Sequence, residues 1–264
     1  YPSKTEFVIA LGHKGDIVKQ YLLLAHPRIK FDFVEVDDYM KLGSGPAYSL
    51  RRCKDLLQCP FFFWSCDTLV KEDVCIDFTR NWVGCSIIDD DDIEKYCTVK
   101  IDYTKIDPVV VGFCDKTIYG THDAFIGLTF VNDYQDFWQA METNEEIIRG
   151  ETQLSPALSR LKGMFAYDFT WYDIGDENGL KKAKMQYLGI QNLDKFDEEI
   201  YFFDDFVLKY FHNTSIVEKR VERSELLGDI VPKIIASSAN FYKYEFVHGT
   251  DMFQKGFFSH YNKE

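Results

Sequence analysis

No apolar stretch of this 264-residue sequence approaches the ~20 residues that cross a bilayer, and no segment has the form of a secretory signal. Membrane insertion is therefore not expected, and the chain reads as cytoplasmic. The seven cysteines (Cys53, Cys59, Cys66, Cys75, Cys85, Cys97 and Cys114) are odd in number, form no Cys-x-x-Cys pair and sit mostly in apolar runs. They read as reduced core thiols rather than a disulfide framework. The six histidines form no His-x-x-x-His pair and no set with cysteine, so a zinc site is not expected. Positive charge is scarce: 30 basic residues stand against 43 acidic ones, a net charge of −13. A broad surface of that sign repels nucleic-acid backbones and anionic membranes, and an anionic ligand would need a local pocket. Internal repeats and low-complexity linkers are also lacking. The length suits one large α/β domain or one and a half domains, and 46% hydrophobic residues supply a core.

Against these absences stands a strand that runs into an acid. Pro60-Phe61-Phe62-Phe63-Trp64-Ser65-Cys66-Asp67 is a continuous apolar run that stops at one carboxylate, the form of a metal-binding aspartate at the edge of a buried parallel strand. Phe169-Thr170-Trp171-Tyr172-Asp173-Ile174-Gly175 has the same form. Two such acids suit one Mg²⁺, which takes one or two protein carboxylates plus substrate phosphates. The structural alternative is that each acid simply ends a strand as a turn former or helix cap.

Phe7 to Gly12 reads as a strand, Asp16 to Leu22 as a helix capped by Asp16, Lys30 to Val36 as a strand, Ala47 to Leu57 as a helix and Phe61 to Trp64 as a strand. That alternation predicts a three-layer, Rossmann-like mixed α/β sheet. Strands follow at Trp82 to Ile88, Tyr96 to Ile101, Val109 to Phe113 and Ala124 to Val131, with Asp89 to Asp92 as a solvated loop. Helices are expected at Tyr134 to Met141, at Ser155 to Leu161 and after Asp176. A boundary is expected near Gly189 to Asp194, giving a first domain over 1–190 and a smaller α+β tail over 194–264.

Gly43-Ser44-Gly45-Pro46 lies between a strand and a helix, where glycines let backbone approach a ligand, although a plain turn has the same composition. Lys116, after the strand from Val109, suits an ammonium over a phosphate or a solvent-facing lysine. Gly127 marks a ligand pressed on a strand or a bulge. Glu151 and Gln153 suit sugar or polyol hydroxyls, or a capping box.

Taken in order, these motifs over Phe7 to Tyr187 resemble the nucleotidyltransferases that make activated sugars and alcohols: Gly43-Ser44-Gly45-Pro46, Cys66-Asp67, Asp115-Lys116, Phe125-Ile126-Gly127 and Trp171-Tyr172-Asp173-Ile174-Gly175. The resemblance implies nucleobase contacts at Gly43, Ser44 and Gly45, a Mg²⁺ held by Asp67 and Asp173, and substrate contacts at Lys116, Gly127 and Glu151. It also implies a nucleoside triphosphate and a phosphorylated sugar, polyol or amino alcohol as substrates, in the making of surface polysaccharide or lipid precursors. Two departures are visible: Asp115 replaces the family's glutamate, and the glycine-rich triphosphate loop expected ahead of Phe7 is absent. The tail resembles the N-terminal lobe of the choline-kinase and aminoglycoside-phosphotransferase family. Lys209 would be its ATP-binding lysine, and Glu218 its partner, with Glu222 equally placed. On this reading the chain is a fragment of a longer two-enzyme protein. The rival readings are a glycosyltransferase of the related nucleotide-sugar fold, which would ordinarily show Asp-x-Asp where Asp67-Thr68-Leu69 stands, and a non-catalytic nucleotide-binding module.

Overall fold

A computed structural model describes residues 5–74, 77–143, 146–188 and 197–247. In chain order the elements are β1 (Phe7–Leu11), α1 (Gly15–Ala25), β2 (Phe31–Glu35), α2 (Pro46–Arg52), β3 (Phe61–Trp64), β4 (Thr68–Val70), β5 (Trp82–Ile87), β6 (Cys97–Asp102), β7 (Val109–Asp115), β8 (Asp123–Val131), α3 (Tyr134–Glu142), β9 (Ile147–Ile148), β10 (Glu151–Thr152), α4 (Ser155–Leu158), β11 (Phe165–Asp168), β12 (Trp171–Asp173), α5 (Glu177–Leu188), β13 (Glu198–Phe202), β14 (Phe206–Phe211), α6 (Thr214–Leu227), β15 (Ile234–Ser237) and β16 (Phe241–Glu245). They divide into two compact units: residues 1–13 with 31–191, and 14–30 with 192–264.

The first unit is built on a six-stranded sheet in the order β3-β8-β5-β11-β7-β6. It is mixed, with β5 and β11 parallel and the other neighbours antiparallel. The aromatic run of β3 explains itself by alternation. Phe61 and Phe63 face a core with α2, α3 and α4, where Ala47, Leu50, Phe137, Trp138 and Leu158 are buried. Phe62 and Trp64 face a second core around Trp82, Leu128, Phe130 and Phe169. Both faces being covered makes the run continuous. The parallel pairing expected of it is not observed: β3 pairs antiparallel with β8, Phe61 opposite Val131 and Trp64 opposite Leu128. Burial on two faces, rather than strand direction, produced the apolar pattern. β1 and β2 form a separate parallel pair. Among the described residues, β2 is the strand partner of β1 and β8 that of β3.

The second unit is an antiparallel sheet in the order β13-β14-β16-β15, with α6 connecting β14 to β15. Helix α1 belongs to this unit, although its position between β1 and β2 reads in sequence as a crossover of the first sheet. Ile17, Tyr21, Leu24 and Ala25 line one helical face and pack with Leu208 and Phe241. Its N-cap position is held by Lys14 in the left-handed region (φ 55°), two residues before the expected Asp16.

Lys243 of β16 is buried beneath α1. Its Nζ donates to the Leu24 carbonyl at 3.2 Å and lies 3.5 Å from the centre of the Phe206 ring. A carbonyl at the end of a helix and a ring face are the partners a desolvated ammonium prefers. Burial nonetheless pulls the Lys243 pKa below its ordinary value. A depressed lysine pKa means that folding penalises the charged form, and the penalty lifts as pH rises through the folded pKa toward 10.5. Wild type should gain stability relative to Lys243→Met between pH 7 and pH 10, read by urea unfolding at both. Parallel profiles for the two proteins would refute the assignment.

Candidate active site

Asp67 and Asp173 meet through β4 and β12. These short strands pair antiparallel, with Asp173 opposite Thr68, and the carbonyl of Asp67 accepts the Ile174 N–H at 2.9 Å. The pair is pinned at its far end: Lys71 N–H donates to the Thr170 carbonyl at 3.0 Å, and Glu72 accepts from both the Thr170 amide and hydroxyl. Those Thr170 bonds hold the Glu72 carboxyl below its ordinary pKa. At the near end, Ser65 N–H donates to the Gly127 carbonyl at 2.8 Å and Thr68 Oγ1 donates to the Ile126 carbonyl, so the Asp67 turn is clamped to β8. A Cβ added to Gly175 would stand 3.1 Å from Asp173 Oδ1 and 3.6 Å from Asp67 Oδ2. The two carboxylates therefore flank one small space.

That arrangement fits a Mg²⁺ ion. Two carboxylates are the usual protein share of such a site, the rest coming from substrate phosphates and water. Among the described residues no group of three or more histidine, cysteine or acidic side chains is gathered for a metal, so a dedicated all-protein cage is not what this site offers.

Asp173 is tightly dressed. Its Oδ1 accepts the Gly175 N–H at 2.9 Å, and its Oδ2 accepts the Tyr96 hydroxyl at 2.6 Å, with Lys95 Nζ 3.6 Å away. Burial, and then the bond to Asp173, push the Tyr96 phenol up to about 12. Tyr96 thus keeps its proton and donates across the whole neutral range. The Lys95 ammonium is held above its ordinary pKa, mainly by Tyr96. Around these groups is a cavity of about 420 Å³ lined by Lys95, Tyr96, Trp171, Asp173, Gly179 and Lys182, among others.

A second cluster collects most of the other residues singled out in sequence. Gly43 bridges Glu151 in parallel register, its N–H donating to the Gly150 carbonyl at 2.8 Å while its carbonyl accepts from Thr152 Oγ1 at 2.9 Å. Gly45 packs so closely that an added Cβ would stand 2.8 Å from the Thr152 carbonyl oxygen. Ser44 Oγ donates to the Tyr39 carbonyl at 2.6 Å. Lys116, at φ 44°, directs Nζ to Glu151 Oε2 at 3.4 Å, and Gln153 Nε2 donates to the same oxygen at 3.0 Å. The glycine turn, Lys116 and Glu151 are therefore neighbours, joined to the aspartate cluster where Lys116 N–H donates to the Tyr96 carbonyl at 3.2 Å. Asp115 is occupied by Ser155, whose hydroxyl donates to Oδ2 at 2.5 Å.

Gly127 sits at a β-bulge with φ 72°, where the β5–β8 register shifts. The space its Cβ would need is taken by the Ser65 side chain, 2.5 Å away at Oγ. No side-chain cap is present at α4, whose N-cap position is Leu154, so the capping-box alternative for Glu151 and Gln153 is not observed. Lys209 and Glu218 lie in the second unit: Lys209 on β14 with Nζ 5.8 Å from the Tyr244 ring centre, and Glu218 exposed on α6.

Lys95, Tyr96 and Lys182 belong to none of the motifs in the sequence. The usable signal was Tyr96, an aromatic between the charged run ending at Lys95 and the first residue of β6; Lys182 left none beyond following Asp173 on a helix.

The sequence matches no protein-family model and no curated protein. Solved structures share its fold. A UDP-glucose pyrophosphorylase complexed with UDP-glucose superposes with a TM-score of 0.60 at 16% identity, over 71% of this chain and 82% of that one. A UDP-glucose pyrophosphorylase of Acinetobacter baumannii gives 0.55 at 16%, over 72% and 80%. A nucleoside-diphosphate-sugar pyrophosphorylase from Vibrio cholerae gives 0.52 at 14%, over 68% and 80%. At such identities the likeness is one of fold: the chain has the mixed α/β fold seen in those pyrophosphorylases. No helix among the described residues is long and apolar enough to cross a membrane.

Proposed function

We propose that the first unit is a nucleotidyltransferase that moves a nucleoside monophosphate from a nucleoside triphosphate to a phosphorylated sugar, polyol or amino alcohol. The observation that carries this reading is the convergence of Asp67 and Asp173 on one space beside Gly175. An acceptor phosphate oxygen forms a bond to the α-phosphorus, the bond from that phosphorus to the bridging oxygen breaks in line, and pyrophosphate leaves. A phosphate monoester is already ionised near neutral pH, so no general base is required. Positioning and charge neutralisation carry such chemistry.

Asp67 and Asp173 would hold Mg²⁺, which when bound neutralises charge on the phosphates and orients them. Tyr96 and the Gly175 N–H fix the Asp173 carboxylate for that task. Lys116, already among Gly43 and Glu151, would steady the acceptor, while the Gly43 to Gly45 turn would present backbone to the base. The known structures of like fold support this reading through what they are named for, pyrophosphorylases of nucleotide sugars.

The second unit supports a further role. Lys209 on β14 stands in register with Ile200 and Tyr242, and α6 follows β14 directly, the arrangement in which a kinase-like lobe presents its phosphate-binding lysine and helix glutamate. We take this unit as a kinase-like nucleotide-binding lobe, with Glu218 exposed on its helix.

The test is a matrix of four nucleoside triphosphates against phosphorylated sugars, polyols and amino alcohols, with Mg²⁺, read by pyrophosphate release from the full-length protein. One triphosphate and one acceptor class should give turnover that chelation abolishes. Release of a free sugar-transfer product from a nucleotide sugar, without pyrophosphate, would replace this reading by that of a glycosyltransferase.

A further inference from the structure

The cavity beside Asp173 mixes charge of both signs: two lysines, Lys95 and Lys182, line it together with Asp92, Asp173 and Asp176. Lys95 stands on the loop before β6 and Lys182 on α5. Lys95 is fixed in an informative place: 3.6 Å from the Asp173 oxygen that Tyr96 also engages, and 4.7 Å from the centre of the Tyr96 ring. Its side chain is half exposed, and Tyr96, Asp173 and Asp92 all bear on its charge.

A divalent cation on Asp173 and an ammonium on the same carboxylate repel each other at short range, where only partial solvent screening intervenes. A lysine on a four-carbon stem has somewhere else to go, and the acceptor it suits is a phosphate oxygen, which it binds as a point charge. Lys182, in the lining of the same cavity, brings a second ammonium, which partly offsets the carboxylates of Asp92 and Asp176 there.

Building on the nucleotidyltransferase reading, we propose that Lys95 is a phosphate-binding residue with two stations: Asp173, as seen here, and the triphosphate or pyrophosphate when Asp173 is engaged by a divalent cation. Lys95 thereby couples the arrival of metal to the capture of phosphate.

The two stations give opposite signs on removal of the charge, which a merely structural lysine would not. Lys95→Gln should bind Mn²⁺ on the order of threefold more tightly, the scale of releasing one half-exposed ion pair, as read by electron paramagnetic resonance titration. The same variant should bind inorganic pyrophosphate with saturating Mg²⁺ at least about tenfold more weakly by calorimetry, the scale of a charge-assisted contact to phosphate. Lys95→Arg should recover most of the pyrophosphate affinity. Unchanged pyrophosphate affinity in Lys95→Gln, or Mn²⁺ and pyrophosphate affinities that fall together, would overturn the proposal while leaving the transferase reading intact. Wild-type protein that binds neither probe, with Asp173→Asn indistinguishable from it, would remove the transferase reading and this one with it.

Discussion

Asparagine at position 173 is expected to lower the rate of pyrophosphate release at least about 100-fold, the cost of losing one preorganised electrostatic stabiliser. The substitution is nearly isosteric. The amide oxygen still accepts the Gly175 N–H, so β12 and its pairing with β4 keep their places. What disappears is the charge that would hold Mg²⁺ against phosphate. Asp67→Asn should behave alike, because its carboxylate faces the same small space. The double variant should cost far less than the product of the two single losses, since once one ligand is gone the other has little to hold. Thermal unfolding of all three should stay near wild type, and Mn²⁺ binding should weaken in each. Full turnover by either single variant would take that residue out of the mechanism.

Alanine at Gly179 is expected to damage the same site without touching a charge. Gly179 lies in the first turn of α5, and a Cβ there would stand 2.0 Å from the carbonyl oxygen of Asp173. No real contact is that short, and the atom approached is backbone, so either the first turn of α5 or the end of β12 must move. The cost in stability should be about 1–3 kcal/mol, as for other overpacked sites. The first turn is itself held by Asp176, whose Oδ1 accepts the Gly179 N–H at 2.7 Å, a bond that lowers the Asp176 pKa. Displacing that turn shifts the main chain from which the Asp173 carboxylate projects, so turnover and Mn²⁺ affinity should each fall at least about tenfold, within the range a 1 Å misplacement produces. Wild-type Mn²⁺ affinity in a folded Gly179→Ala protein would show that α5 does not set the position of Asp173.

Much of this was legible because burial writes itself into sequence at each level. The runs at Phe61, Trp82 and Ala124 became strands because each sends side chains into two cores, whereas the Val109 run packs Val110 and Phe113 into the first alone. Asp173 ends β12 as its run suggests, whereas Asp67 lies not at the end of β3 but in the turn leading into β4, and their meeting follows from β4 and β12 being adjacent. What sequence withheld was partnership across space. Nothing in Thr68-Leu69-Val70 announces a three-residue strand that, among the described residues, pairs about a hundred positions away. Gly127 read equally as a ligand platform or a bulge, and only the nearness of Ser65 explains why glycine is needed. Lys95 follows the acidic run Asp89 to Asp92 and carries no pattern of its own, since its partner Asp173 is distant in sequence. Helix α1 has a good amphipathic face, but periodicity says which side is apolar, not what it will meet.

That helix has a consequence for how the polypeptide is made. Gln20 accepts from the amide of Asn240 at 3.0 Å and from the hydroxyl of Ser238 at 2.8 Å, bonds that close loops of about 220 residues. During vectorial synthesis α1 emerges among the first elements, yet Leu208 and Phe241, which bury its apolar face, are among the last. The face formed by Ile17, Tyr21 and Leu24 must wait, uncovered, while nearly the whole described chain is translated. At ribosomal rates of ~5–20 residues per second, that interval is on the order of ten seconds or more. A gene cut near residue 190 to isolate the first unit would make the exposure permanent, leaving an amphipathic helix with no partner and a product inclined to aggregate.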